Sequence, residues 1–127
     1  YLIELGGQLP RFSDEQKKDE WKVPGCQSQV WIIPHYSENG ISFEGDSDAI
    51  IVRGIIAVVL EIFKDKSAQE ILDIDVEEIF DKMGLREHIT PNRRSGMLSM
   101  VDKIKYYAAQ ALKGQNEYSR ISGKKDF

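Results

Sequence analysis

One cysteine, two histidines and two adjacent arginines are the side chains best able to do chemistry in this 127-residue chain. Cys26 lies in the stretch WKVPGCQSQVW, directly behind Pro24-Gly25 and just ahead of strand-forming residues. A cysteine acts through its thiolate, which displaces leaving groups and exchanges sulfur. A lone cysteine is more often a small buried apolar residue. Here, however, Pro-Gly forces a turn, and glycine lets a backbone or ligand approach closely. The polar run Gln27, Ser28 and Gln29 is also unlike a packed core. A thiol hydrolase would need His35 or His88 beside Cys26. No nucleophile elbow or papain-type signature surrounds the cysteine, and both histidines read as surface or capping residues.

Charged residues form two further groups. FEGDSDA sets Glu44, Asp46 and Asp48 at alternate positions ahead of a helix. Helix capping and complementing the helix dipole would account for them, while a hard-metal site or a partner-facing acidic patch is the functional alternative. A calcium loop needs further oxygen ligands at defined spacing, and these are absent. Arg53 interrupts an otherwise apolar helix and is expected to pair with Asp46 or Asp48. TPNRRSG places Arg93 and Arg94 in the first turn of a helix, against the preference of the dipole. An anion such as a carboxylate or thiolate would account for them, and so would solvation.

These residues must be held by a small α+β fold. QVWIIP and ISFEG read as strands, with Asn39-Gly40 between them as the hairpin signal. The pair leaves room for a third strand. Ser47 or Asp46 is expected to cap a long, nearly all-apolar helix ending at Phe63, the central core helix. Ser67 caps a short helix, VEEIFDKMG forms another that stops at Gly84, and Thr90-Pro91 opens the last. Met97, Met100, Val101, Ile104, Tyr107, Ala108 and Leu112 recur at three and four, which predicts one buried face. Leu2, Ile3 and Leu5 read as the tail of a helix ended by Gly6-Gly7. From Gly114 periodicity is lost, so residues 114–127 are expected to form a flexible polar tail behind a domain of residues 1–113. The class is a small antiparallel sheet with helices against one face.

Composition narrows the partners. With 17 basic and 21 acidic residues the chain is mildly acidic and has no basic tract, a poor match for nucleic acid. No apolar run reaches the roughly 18 residues that span a bilayer. One cysteine forms no internal disulfide, which suits a reducing compartment, and the few soft ligands do not make a structural zinc site. Tyr1 stands where a full chain would have methionine, so the leading helix is expected to be truncated and a removed targeting peptide stays open.

VPGCQSQVW, FEGDSDAIIVRGIIAVV and HITPNRRSGM together resemble the SufE family of sulfur-acceptor proteins, closer to SufE than to its paralogue CsdE. The likeness runs from about Leu2 to Leu112. It implies a fold similar to the IscU-type iron–sulfur scaffold. It also implies that Cys26 takes sulfane sulfur as a persulfide from a SufS-type cysteine desulfurase, enhances that enzyme's activity and passes the sulfur to a SufBCD-type scaffold. On this reading the chain is a sulfur-transfer partner and not a stand-alone enzyme, with no cofactor and no metal. Arg93 occupies the arginine position of the family's Pro-Ser-Arg-Ser motif. Because this chain reads Pro-Asn-Arg-Arg-Ser, Arg93 and Arg94 both stand near it. Gln27, Asp46, Asp48 and Arg53 are expected to bind the partner. A cytoplasmic location is implied, with a plastid or other organelle as the alternative, and a homodimer is compatible with the family. A non-catalytic docking module and a CsdE-like acceptor for another desulfurase are the rival readings. Hiding Cys26 against apolar neighbours such as Val23 and Trp31 would protect a persulfide between partners. Burial would raise the thiol pKa and Arg93 or a backbone N–H would lower it.

Overall fold

The computed structural model describes residues 2–26, 28–37, 40–85, 87 and 89–125. Gln27, Asn39 and His88 lie outside the described residues. The chain forms α1 (Leu2–Gly7), a 3-10 turn at Asp19–Trp21, β1 (Val30–Ser37), β2 (Gly40–Ser47), α2 (Ile50–Phe63), α3 (Ala68–Asp73), α4 (Val76–Lys82) and α5 (Pro91–Lys125). The class is α+β, as a strand pair followed by a run of helices predicts. β1 and β2 pair antiparallel, from Val30 opposite Ser47 to Ser37 opposite Gly40.

Why the hairpin is buried at one end only follows from what covers it. Val30 and Ile32 point to the core face and are fully buried, whereas Trp31, which alternation turns to the other face, is buried too. The residues before β1 supply that second cover. Lys22 bridges to Trp31, Val23 N–H donates to the Val30 carbonyl at 2.8 Å, and Lys17 Nζ lies 5.6 Å from the Trp31 ring centroid. The third strand allowed by the sequence is thus reduced to one isolated bridge among the described residues. Toward Tyr36 and Ser37 the strand is exposed.

α2 is the central helix: Val52, Ile55, Ile56, Val59 and Phe63 are buried. It lies against β2 so closely that a Cβ at Gly45 would meet Ile56 Cγ2 at 2.7 Å. Its cap differs from expectation. The N-cap is Ala49 with no side-chain bond, because Asp46 and Ser47 belong to β2 and hold other partners. Ser67 caps α3 as expected, in a capping box completed by Glu70, and Asp75 caps α4. α5 opens at Pro91, with Thr90 Oγ1 accepting from Arg93 N–H at 3.3 Å. Met97, Met100, Val101, Ile104, Tyr107 and Ala108 form its buried face, and Tyr107 donates its hydroxyl to the Ile32 carbonyl at 3.3 Å. The helix continues through Gly114 to Lys125, so apolar periodicity ends where the sequence indicates but helical backbone does not.

α1 ends at Gly7, as Gly6-Gly7 predicts, and Gly6 is also a packing residue. A Cβ there would sit 2.6 Å from Gly54 N and 2.9 Å from the Arg53 carbonyl carbon, so only glycine lets α1 meet α2 at this crossing. Gly6→Ala is expected to cost about 1–3 kcal/mol, the usual range for overpacking. Gly7→Ala, which meets nothing within 4 Å, serves as control in the same urea titration.

Candidate functional site

The Cys26 loop spans residues 24–29 and is pinned at both stems. On one side Val23 is buried and bonded to Val30. On the other, Gln29 N–H donates to Asp48 Oδ1 at 3.0 Å, while the Gln29 carbonyl accepts from Ser47 Oγ at 2.7 Å and from Asp48 N–H at 3.3 Å. The turn between them needs Gly25. Its φ of +82° lies in the left-handed region, and a side chain there would also press on Ser99 Oγ at 3.0 Å. Pro24-Gly25 therefore makes the turn that its sequence predicts, and that turn lies against α5.

Cys26 emerges from that bend half-buried and packed against the core, with Sγ 3.6 Å from the Gly96 carbonyl oxygen. Val23 belongs to the core cluster against which Cys26 packs, whereas Trp31, though buried, is not part of it. Burial raises the thiol pKa above its ordinary 9.0, because the thiolate loses solvation. At rest the sulfur is thus a protonated thiol. To react it must gain solvent or a cation.

The two arginines have separate fates. Arg94 is drawn to α4, where its Nε and Nη2 lie 3.0 and 2.7 Å from Glu77 Oε1. Arg93 is exposed and lies one helical turn before Gly96, on the side of α5 that carries the thiol's neighbour.

The acidic cluster does not act as a unit. Glu44 binds His35 Nε2, Asp46 turns inward and Asp48 anchors Gln29. Asp46 and Arg53, expected on a partner-binding surface, are instead 1% and 4% exposed and bonded to each other at 2.8 Å. Asp48 is on the surface and touches the loop that holds Cys26, while Gln27 of the expected set lies outside the described residues. His35 lies five residues along β1 from Val30, roughly 16 Å at ordinary strand rise, so it is not beside the thiol.

Sequence reading missed the roles of Gly96, Gln29 and Ser47. Gly96 carried a signal, since a glycine inside an apolar-periodic helix often marks a close approach. The Gln29 contacts carried none, because they join residues 18 and 19 apart through backbone atoms.

The family model described as "SufE: Fe-S metabolism associated domain" matches residues 1–108. An uncharacterized SufE-like protein of Rhizobium etli is 50% identical over 109 residues, covering 83% of this chain and 74% of that one. A second, from Rhizobium meliloti, is 47% identical over 109 residues, covering 83% and 78%. Among solved structures, a hypothetical protein from Thermus thermophilus shares the fold with a TM-score of 0.73 at 18% identity, over 88% of this chain and 82% of that chain.

Proposed function

The chain belongs to the SufE family, and on that premise we propose that Cys26 is the sulfur acceptor through which it serves iron–sulfur cluster assembly. The observation that carries this reading is the lone thiol, half-buried on a loop pinned at both stems and turned toward α5. In the reaction the Cys26 thiolate attacks the outer sulfur of a persulfide on a SufS-type cysteine desulfurase. The donor's S–S bond breaks, its cysteine leaves as thiolate, and a new S–S bond forms on Cys26. No electrons are gained or lost overall, so this side of the exchange needs neither metal nor organic cofactor. A single cysteine suits the task, because a second thiol nearby would attack the loaded sulfur and release it. The sulfur then passes to a SufBCD-type scaffold by the same displacement. Such a free thiol operates in a reducing compartment, the cytoplasm on this reading.

Docking of the donor has to overcome the raised pKa of the resting thiol. We assign that step to movement of the loop toward solvent together with Arg93, whose guanidinium favours the thiolate. The direct test incubates the protein with a SufS-type desulfurase and cysteine and reads one-sulfur mass increments on the Cys26 peptide. Loading supports the proposal, and no increment with an active desulfurase overturns it. Arg93→Ala is expected to slow loading about tenfold, the change that one pKa unit makes in thiolate population. Its unfolding midpoint should stay near that of the unsubstituted protein, since an exposed arginine contributes little to stability. An unchanged loading rate would leave Arg93 as a solvated residue only.

A further inference from the structure

Glycine inside a helix calls for a reason, because only proline disfavours the helical backbone more. Close packing supplies it at Gly6, where an added Cβ would collide with the backbone of α2. Gly96 is buried on α5, yet it shows no such collision. Apart from its own helix, the one heavy atom among the described residues that a Cβ there would meet within 4 Å is Cys26 Sγ, at 3.6 Å. That is an ordinary contact, so an alanine would pack acceptably against the thiol. The resting thiol therefore does not explain the glycine.

We propose that Gly96 keeps open the space in which the sulfur acquired by Cys26 lies while the loop is closed. The inference rests on the sulfur-acceptor reading above. An S–S bond is about 2.05 Å long, so an outer sulfur turned toward α5 would overlap an alanine methyl placed 3.6 Å from Sγ. Without that methyl, rotation about the Cys26 Cβ–Sγ bond swings the outer sulfur off the Gly96 carbonyl and into the vacant volume. There it sits against a buried stretch of helix and away from thiols and other nucleophiles in solution. With alanine in place, the outer sulfur must turn outward or the loop must open. Gly96 thus determines how well the cargo is sheltered, not whether the thiol can react.

The test loads Cys26 with inorganic polysulfide, independently of any desulfurase. The thiolate attacks one sulfur of the polysulfide chain, a shortened polysulfide leaves, and a persulfide remains on Cys26. Cyanide then removes the outer sulfur as thiocyanate and returns the thiolate, so thiocyanate release reports exposure. Gly96→Ala is expected to lose its sulfur about tenfold faster than the unsubstituted protein, whereas alkylation of its unloaded thiol by iodoacetamide stays within about twofold. Gly114→Ala, a helical glycine on α5 with nothing within 4 Å, is expected to change neither rate. Equal stripping rates for Gly96→Ala and the unsubstituted protein would overturn the inference. So would alkylation that accelerates by the same factor as stripping, since that would mean general displacement of the loop. Failure of a desulfurase to load Cys26 would count against the acceptor reading alone.

Discussion

Cys26→Ser is expected to accept no sulfur from a desulfurase while keeping its fold and its ability to dock. Serine is nearly isosteric with cysteine, and the side chain is only half-buried, with one weak contact to the Gly96 carbonyl at 3.6 Å. Losing that contact should change stability by less than about 1 kcal/mol. The chemical loss is total for a different reason: no other cysteine exists in the chain, and a hydroxyl at neutral pH does not displace a thiolate from a persulfide. Sulfur labelling and mass spectrometry give the answer directly, with unfolding midpoint and donor co-elution as controls. Labelling that persists in Cys26→Ser would remove Cys26 from the mechanism. Labelling that disappears while Cys26→Ser still stimulates the desulfurase would separate docking from transfer and identify a docking role in its own right. The same thiol should show its burial in solution. Since loss of solvation raises its pKa above 9.0, alkylation of the free protein should keep accelerating as pH rises past that value, and docking should shift the profile downward.

How much of this was legible in the sequence depends on how far apart the interacting residues are. The Ser67 cap, the Thr90-Pro91 helix start and the α5 stripe are local, and each forms where the spacing places it. Pro24-Gly25 also announces its bend, because the φ that Gly25 adopts is a property of two neighbouring residues. What was not legible depends on distant partners. The Asp46–Arg53 pair, seven residues apart, forms as the sequence predicts, but Asp46 does not cap α2, and the Phe12 N–H that it also holds, 34 residues away, was not legible. The support of Cys26 by Gly96 spans 70 residues, and neither segment alone reveals it. Gly6-Gly7 marks the end of α1 as its sequence predicts, but the crossing with α2 that needs Gly6 is not visible from its neighbours. The three motifs that resemble the SufE family lie in these segments, and the SufE family model matches residues 1–108.

Asp46→Ala is expected to destabilise the protein by about 3–5 kcal/mol, a large share of the roughly 5–15 kcal/mol that holds an ordinary domain folded. Asp46 Oδ1 accepts from Arg53 Nε at 2.8 Å and from Ser47 N–H at 2.8 Å, and Oδ2 accepts from Phe12 N–H at 2.9 Å. Arg53 in turn donates from Nη2 to the Leu9 carbonyl at 2.6 Å. The network therefore ties the segment after α1 to the end of β2 and to the central helix. Removing the carboxylate leaves a guanidinium 4% exposed without a counter-charge, together with two backbone donors that lose their acceptor. The sum outweighs anything the pair gained by forming, because an isolated buried charge costs more than a matched pair returns. Urea titration at neutral pH measures it. Asp46→Leu combined with Arg53→Met should recover part of the loss, since it removes both charges together, but not all of it while Phe12 and Ser47 N–H remain unpaired. A loss below about 1 kcal/mol in Asp46→Ala would mean that water reaches Arg53 and that the network is not sealed. The effect should also reach the thiol. Ser47 and Asp48 follow Asp46 directly and grip Gln29, so loosening this corner should speed alkylation of Cys26 even under conditions where the variant is still folded.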